Sequence, residues 1–433
     1  MDLFAIIAIV WLPISAAVIF FRPEAIIGVQ LFATPIFGHG LASLGVGFGS
    51  VNTILALVAF SLAVSFFRDR KTRFLPTSPM EIGVMLFIFW VATTLLYTPS
   101  PSYGSSKLIF FLSITFPCMF MARLHCDTPE KLRRAFTSTG WYGFFLLLYY
   151  LTYIVLNNED QARARSEFFG PLSLGYIAVA ITPFVFFNAV HSKQAVLRLI
   201  AAAAIPSAVI VVVATGSRGP VLALLCAVVI SFLRIKYFAR VLAGFVIAIA
   251  AGIYYISAAT EAGNLGLERI LGKTEAADAS TEAREKLFAL AIEQFNQFPL
   301  FGQGIGSFSH FVHSADHRYY AHNSYLEIAG ELGLIGLVLF FAVLTYCIVR
   351  IQIIRNRSDN QFIDYYWAIA AIQLVFFIGI VNSNVSFALP AQRVLFVGIG
   401  LIAATTYWKS RRSSKSRHSN RRIKRHRSRE VGF

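Results

Sequence analysis

The sequence has little cysteine, little acidic charge and no nucleotide-binding signature. Three of its four cysteines fall within apolar runs (Cys118, Cys226 and Cys347), and Cys126 falls in a loop predicted to be cytoplasmic. We therefore expect no disulfide outside the membrane. No Cys/His cluster has zinc spacing, and the phosphate-binding pattern GxxxxGK[ST] is absent. These absences argue against a zinc site and against ATP hydrolysis by the chain, and we expect neither a metal nor a cofactor.

Apolar residues, by contrast, are abundant. Hydrophobic residues make up 57% of the chain and charged residues 14%, which is too apolar a composition for a soluble domain of this size. A helix needs about 20 residues to cross the bilayer core. The backbone must be hydrogen-bonded within the span, because lipid supplies no hydrogen-bond partners. We predict an all-α, polytopic integral membrane protein with about twelve transmembrane helices. The predicted spans lie near residues 2–21, 50–67, 82–97, 107–122, 136–156, 171–190, 199–215, 219–233, 241–258, 332–349, 363–381 and 391–408.

Two segments near the amino terminus depart from the ordinary pattern of spans. Residues 2–21 are apolar but lack the charged start of a signal peptide, so we predict a retained anchor. Residues 25–48 are uncharged but are interrupted by Pro35 and several glycines. A re-entrant segment is therefore favoured there over a further span.

Basic residues set the predicted orientation. The formal net charge is +16, and residues 409–433 form a strongly basic tail. Because this tail directly follows an apolar helix, we interpret it as lying on anionic cytoplasmic lipid, and we expect no nucleic-acid partner. Alternating spans put most loop lysines and arginines on the side of the tail. Both termini are thus predicted to be cytoplasmic, with 1–408 forming one transmembrane domain and 259–323 a large extracytoplasmic loop.

The large loop contains a predicted amphipathic helix at residues 281–298, which places Phe288, Ala291, Phe295 and Phe298 on one face. Arg284 breaks this pattern because it falls on the apolar face. It either snorkels at the helix end or points into a membrane cavity. Pro299 ends the helix, and the turn FGQGIGSF at 301–308 has three glycines that allow backbone amides to approach another group closely.

The turn TGSRGP at residues 215–220 contains a second arginine of interest. Arg218 falls at the boundary of two predicted spans, with small neighbours that leave its guanidinium accessible. It is either a turn arginine at the head-group level or a binding group, since arginine at membrane depth tends to mark a site. The planar guanidinium fork suits a diphosphate better than a lysine does.

The segment AHNSYLEIAGELGLIGLVLF at residues 321–340 closes the large loop and enters an apolar helix. His322 either caps this helix or transfers a proton, since the ordinary histidine pKa near 6.5 suits proton transfer at neutral pH. Asn323 and Glu327 stand beside it in the sequence. A polar cluster where a large loop re-enters a bilayer is a favourable place for chemistry on a lipid-linked substrate.

In chain order, these three segments resemble a known family. TGSRGP at a helix turn, an arginine opening a helix that ends FPLFGQGIGSF, and HNSYLEIAGELGLIG entering a span are similar to the O-antigen ligase and polymerase superfamily. The resemblance covers roughly residues 200–350. Members are integral membrane glycosyltransferases of bacterial surface polysaccharides, so a GT-C-like fold is implied. Within the superfamily the chain looks most like rhizobial, succinoglycan-type exopolysaccharide repeat-unit polymerases.

The resemblance implies roles for individual residues. The arginine of the SRG motif corresponds to Arg218, the arginine opening the loop helix to Arg284, and the family's histidine to His322. Many members carry a tryptophan four residues after the second arginine, where this chain has Phe288, so Arg269 is the alternative candidate for that position. Further substrate-binding candidates near the histidine are Asn323, Tyr325 and Glu331.

The resemblance also implies a reaction. The donor would be an undecaprenyl-diphosphate-linked oligosaccharide, whose diphosphate the two arginines would hold in place of a metal ion, while the histidine orients or deprotonates an acceptor hydroxyl. The implied function is polymerisation of repeat units into an exopolysaccharide on the periplasmic face of the bacterial inner membrane. Alternatives are ligation of a glycan to lipid A core or protein, and a polysaccharide transporter or flippase. Membrane lipids, a chain-length regulator and export proteins are the other expected partners.

Overall fold

The computed structural model describes most of the chain. The described residues are 3–32, 50–68, 78–156, 171–232, 275–356, 363–382 and 392–405, with isolated positions between 243 and 273 and at 386. Several predictions concern residues outside these ranges, namely most of the span 241–258, Arg269 and the basic tail 409–433.

Every regular element in the described residues is a helix. The first half of the chain contains α1 (Leu3–Phe21), α2 (Pro23–Phe32), α3 (Ser50–Arg68), α4 (Pro79–Thr94), α5 (Pro101–His125) and α6 (Pro129–Leu156). The second half contains α7 (Pro171–His191), α8 (Ala195–Ala214), α9 (Arg218–Phe232), α10 (Glu275–Gln297), α11 (Phe308–His313), α12 (Ser324–Asn356), α13 (Ile363–Val381) and α14 (Arg393–Thr405). The prediction of an all-α, polytopic membrane fold is confirmed.

The helices differ in their capacity to cross a membrane. Among the described residues, four helices are long and apolar enough by length and composition, namely α5, α7, α8 and α12. Shorter apolar helices include α3, α4, α9, α13 and α14. The number of spans therefore stays a prediction.

The centre of the fold is α7. Of its segment Leu174–His191, 78% is buried, against 39% for the apolar windows of α8 and α12. Helices α6, α8 and α13 pack around α7, and α13 also packs against α9. The exposed positions of the outer helices are themselves apolar, such as Leu199 at 71% and Val338 at 56% exposure. Such surfaces are suited to contact lipid.

A π-helical turn at Phe111–Thr115 interrupts α5. Pro117 follows this turn, and proline both lacks an N–H and clashes with the carbonyl four residues earlier, which accounts for the widened turn. The turn separates the first part of α5, Pro101–Phe110, from the second, Phe116–His125. Lys107 lies on the first part, at the end of the helix near the candidate site.

The start of the predicted re-entrant segment is a short, enclosed helix. Ile26, Val29 and Phe32 of α2 are at most 1% exposed. The guanidinium of Arg393 on α14 donates to the carbonyl of Gln30. The rest of the segment, 33–49, lies outside the described residues, so its re-entrant course stays a prediction.

Candidate functional site

Helix α12 is interrupted at Gly333, and the loop Pro299–Ser307 packs into the break. Gly333 has φ 67 and ψ −168, a conformation restricted to glycine. The amide of Gly304 donates to the carbonyl of Glu331 (2.8 Å), and the amide of Leu334 donates to the carbonyl of the first residue of the loop (2.8 Å). The loop thus replaces hydrogen bonds that the interrupted helix loses.

The loop glycines permit this close packing. Gly302, Gly304 and Gly306 all have positive φ, at 71, 103 and 78. A Cβ added to Gly302 or to Gly333 would lie closer than 3.0 Å to backbone atoms of the opposite segment. The sequence did not show which group these glycines approach. In the structure that group is the chain's own backbone, in α12, at the end of α4 and at the start of α5.

The predicted loop helix is confirmed, and it begins earlier than predicted, as α10 (Glu275–Gln297). The side-chain amide of the buried Gln294 donates to Gln303 Oε1 (2.8 Å) and Ser307 Oγ (2.9 Å), which joins α10 to the loop. Phe298, predicted on the apolar face, lies beyond the helix end and is 38% exposed. A residue that precedes proline is disfavoured in the helical conformation, which explains the difference.

Asn323, and not His322, caps α12. Its Oδ1 accepts hydrogen bonds from the amides of Tyr325 (3.0 Å) and Leu326 (3.2 Å), as an N-cap side chain does. His322 directly precedes the cap in the left-handed conformation, with φ 53. Such a conformation costs a non-glycine residue on the order of 1–3 kcal/mol and persists only where the surroundings impose it. Of the two interpretations of His322, the structure gives the capping role to its neighbour, and proton transfer stays a prediction.

Tyr320 and Arg318 lie beside His322. The ring centroids of Tyr320 and His322 are 4.5 Å apart. Burial raises the pKa of the Tyr320 hydroxyl, and the guanidinium of Arg318, which is hydrogen-bonded to it, offsets part of that rise. Arg318 is exposed and bonds to Tyr320, the residue whose ring packs against His322. The cationic side chain of Arg318 therefore lies near His322, with the Tyr320 ring between them. Arg318 was not predicted from the sequence, because an arginine in a polar loop does not by itself indicate a site.

Tyr325 joins α12 to α13. Its hydroxyl donates to the carbonyl of Ile380 at 2.7 Å. Its ring stacks on Phe341, with centroids 5.7 Å apart and planes 14° apart. This candidate substrate-binding residue therefore has partners within the fold.

Glu331 belongs to a buried ionic cluster that was not predicted from the sequence. Nζ of Lys107 lies 2.6 Å from Glu331 Oε2 and also binds Glu327 Oε1, and the side chains are at most 2% exposed. The hydroxyl of Ser386 donates to Glu327 Oε1 at 2.7 Å. Two sequence signals would reveal this cluster: a lysine within an apolar run requires a partner, and glutamates four residues apart share a helix face.

The two candidate arginines lie on separate helices. Arg218 is the exposed first residue of α9, and a helix amino terminus favours anions. Arg284 is half-buried on α10, one turn before Leu287, which packs in a cluster with Ala321, the neighbour of His322. Helix α10, which carries Arg284, also packs against α12, the helix that follows His322. Arg218 is connected to that region through α13, which packs against both α9 and α12.

The loop histidines form aromatic contacts. The rings of His313 and His317 are stacked with centroids 5.7 Å apart, and His313 makes an edge contact with Tyr319 at 4.6 Å. Within the described ranges, no group of three or more His, Cys, Asp or Glu side chains could hold a metal ion. For the chain as a whole, the absence of a metal stays a prediction.

The apolar helices and the polar residues gathered at the start of α12 define an integral membrane protein with a candidate site at one end of its helices. Residues 201–341 match the family model described as O-Antigen ligase. The matched segment runs from α8 into α12 and contains Arg218, Arg284 and His322. The match supports the resemblance to the O-antigen ligase and polymerase superfamily. No curated protein matches the chain.

Proposed function

We propose that this protein is a membrane glycosyltransferase that joins undecaprenyl-diphosphate-linked oligosaccharide repeat units into an exopolysaccharide, of the succinoglycan type, on the periplasmic face of the bacterial inner membrane. The observation that carries the proposal is the match of residues 201–341 to the O-antigen ligase model. All three residues assigned to catalysis, Arg218, Arg284 and His322, fall within that match.

The arginines would bind the diphosphate of the donor. Arg218 is exposed at the amino terminus of α9, where the helix dipole adds to its own charge. Arg284 lies one turn from the packing cluster beside His322. A guanidinium fork can bind phosphate oxygens in a bidentate manner and stabilise the negative charge that grows as the diphosphate leaves.

His322 would take the proton of the acceptor. In the proposed step, the oxygen of an acceptor sugar hydroxyl forms a bond to the anomeric carbon of the donor. The bond from that carbon to the diphosphate oxygen breaks, and undecaprenyl diphosphate leaves with the electron pair. The hydroxyl proton passes to the neutral imidazole and then to water. Attack from the face opposite the diphosphate inverts the anomeric carbon, and cleavage of the glycosyl-diphosphate bond supplies the free energy.

The arrangement around His322 supports this role. Because Asn323 caps the helix, the imidazole is not needed to start α12. Its left-handed conformation is a local strain of the kind that clusters at functional sites. We assign Asn323, Tyr325 and Glu331 to holding the start of α12 in place, since each bonds to groups of the fold.

The test uses the full-length protein in lipid nanodiscs, supplied with undecaprenyl-diphosphate-linked repeat units, with chain length scored on a gel. His322→Ala should lower polymer formation by about 10²–10⁴-fold, the usual contribution of a general base. His310→Ala, which removes another histidine of the same loop, should leave it unchanged. Long polymer made by His322→Ala at the wild-type rate would refute the assignment.

The second candidate function is ligation, which the description of the matched family model favours. Polymerase and ligase share a donor and differ in the acceptor. The lipid-linked material that accumulates in a deletion strain separates them. Single repeat units on the outer leaflet would indicate a polymerase, unattached long chains a ligase, and units retained on the cytoplasmic side a flippase.

A further inference from the structure

We propose that the first part of α5 positions His322, and that Lys107 and Asp316 are the positioning residues. Asp316 and Glu327, which lie on either side of His322 in the chain, both bind this part of α5. The inference rests on the proposed function, because it takes His322 as the residue whose position matters.

The first attachment is a carboxylate cap on α5. Asp316 Oδ2 accepts from the amide of Ser102, and Oδ1 accepts from the amide of Tyr103, both at 2.8 Å. These amides belong to the first turn of α5, whose N–H groups have no partner within the helix. A carboxylate there is further favoured by the helix dipole. The loop that leads to His322 is thereby joined to the amino terminus of α5.

The second attachment is the buried ionic cluster. Lys107 binds Glu327 and Glu331, whose side chains are 0% exposed. Both glutamates lie on α12 shortly after His322, and Ser386 adds a hydrogen bond to Glu327. Because Lys107 binds two buried carboxylates of α12, these contacts fix the rotation of α12 and its position along α5. Breaking either contact would leave a buried carboxylate without its cationic partner.

Together the two attachments define where His322 lies. Ser102 and Lys107 are separated by about 7.5 Å along α5, at 1.5 Å per residue. The chain between Asp316 and Glu327 must cover this distance. Within it, His322 takes a left-handed conformation and Tyr320 packs against the His322 ring. Asn323 sets the start of α12 itself, and the contacts with α5, together with the bond from Tyr325 to Ile380 of α13, relate that start to the rest of the molecule.

The experiment compares Asp316→Asn and Lys107→Met with the wild type in nanodiscs. The first readout is the rate at which diethyl pyrocarbonate modifies His322, quantified by mass spectrometry relative to His191 and His310. The second is the split between kcat and KM in the polymerisation assay. Lys131→Met is the matched control, since it removes a lysine from an ion pair with Asp127 (2.9 Å) at the start of α6.

We expect both variants to change the relative reactivity of His322 severalfold and to lower kcat with little change in KM. A misplacement of about 1 Å costs on the order of 10²-fold in rate. Lys131→Met should match the wild type in both readouts. Asp316 is exposed, so its variant is expected to fold even if Lys107→Met does not.

The outcomes separate this inference from the proposed function. Unchanged His322 reactivity in a folded Asp316→Asn and a folded Lys107→Met would overturn the positioning role, whatever the activity. So would an equal rise in the reactivity of all three histidines, which would indicate general loosening. If His322→Ala still makes polymer while both variants alter only the reactivity of His322, the positioning role stands and the proposed function fails.

Discussion

Replacing Gly333 with alanine tests whether the loop Pro299–Ser307 stabilises the start of α12. The native φ of 67 and ψ of −168 cost an L-residue on the order of 1–3 kcal/mol. The new Cβ would also lie closer than 3.0 Å to backbone atoms of Gly302 and Leu300, and a backbone cannot move aside as a flexible side chain can. The loop must therefore shift away from α12.

The magnitude follows from the hydrogen bonds that join the two segments. Gln303 N to Gly330 O, Gly304 N to Glu331 O, Leu334 N to Pro299 O and Ile335 N to Leu300 O measure 3.1, 2.8, 2.8 and 3.3 Å. Each contributes about 1 kcal/mol net. With the conformational cost, Gly333→Ala should destabilise the protein by about 5–7 kcal/mol.

The assay is unfolding of the purified full-length protein in detergent, combined with limited proteolysis of the loop. Tryptophan fluorescence includes a local reporter, because Trp90 donates to the carbonyl of Leu332 (2.9 Å) and packs against Phe301. Gly302→Ala should behave like Gly333→Ala, since each Cβ would meet the opposite segment. Gly244→Ala is the control, because nothing lies within 4 Å of the Cβ that this change adds and alanine favours a helix. Wild-type stability and wild-type resistance of the loop in Gly333→Ala would refute the reasoning.

Three further predictions follow from single contacts. Asn323→Ala should destabilise the protein by about 1 kcal/mol through loss of the helix cap, and Asn323→Ser should recover most of it; equal unfolding midpoints would contradict the cap. Burial raises the pKa of Tyr97 to about 12, and its hydroxyl donates to the carbonyl of Phe301 (2.7 Å). The neutral Tyr97 hydroxyl therefore stabilises the fold fully below pH about 10, the pKa of tyrosine in the unfolded chain, and this stabilisation falls as the pH rises towards 12. The difference in unfolding free energy between the wild type and Tyr97→Phe should shrink over that range. Arg218→Lys should lower the polymerisation rate by about 10²–10³-fold at normal protein levels, because lysine keeps the charge and loses the fork; a wild-type rate would make Arg218 a turn residue.

Hydropathy and periodicity predicted the helices well because both features depend on the local sequence. The amphipathic loop helix is present as α10, and it starts earlier than predicted because Glu275 to Ser280 lack the apolar spacing on which the prediction depended. The break at Gly333 was not predicted. Nothing in the glycine spacing of an apolar helix distinguishes a glycine that packs closely from one that takes a positive φ.

The candidate site was predicted only in part, because its contacts join residues distant in sequence. Of the two roles predicted for His322, helix capping belongs to the next residue, Asn323, and proton transfer stays a prediction. Glu331 was predicted to bind substrate, which stays a prediction, and the contact of its carboxylate with Lys107 of α5 was not predicted. That contact spans more than half of the chain, and no local pattern ranks such a pairing above the alternatives. Arg269 lies outside the described residues, so its role stays a prediction.

The segment from Ser324 to the break at Gly333 behaves as a separate short helix. This explains why the glycine-rich motif FPLFGQGIGSF occurs together with the motif HNSYLEIAGELGLIG in this sequence. An isolated helix of about two and a half turns is not stable by itself. Here neighbours hold it on three sides: Trp90 of α4 at its end, Lys107 of α5 along one face, and Gln294 of α10 against Gly330. The glycine-rich loop closes its last turn. The segment FPLFGQGIGSF and the segment HNSYLEIAGELGLIG are therefore two parts of one structural unit, and a change in the first should disturb His322 at the far end of the second.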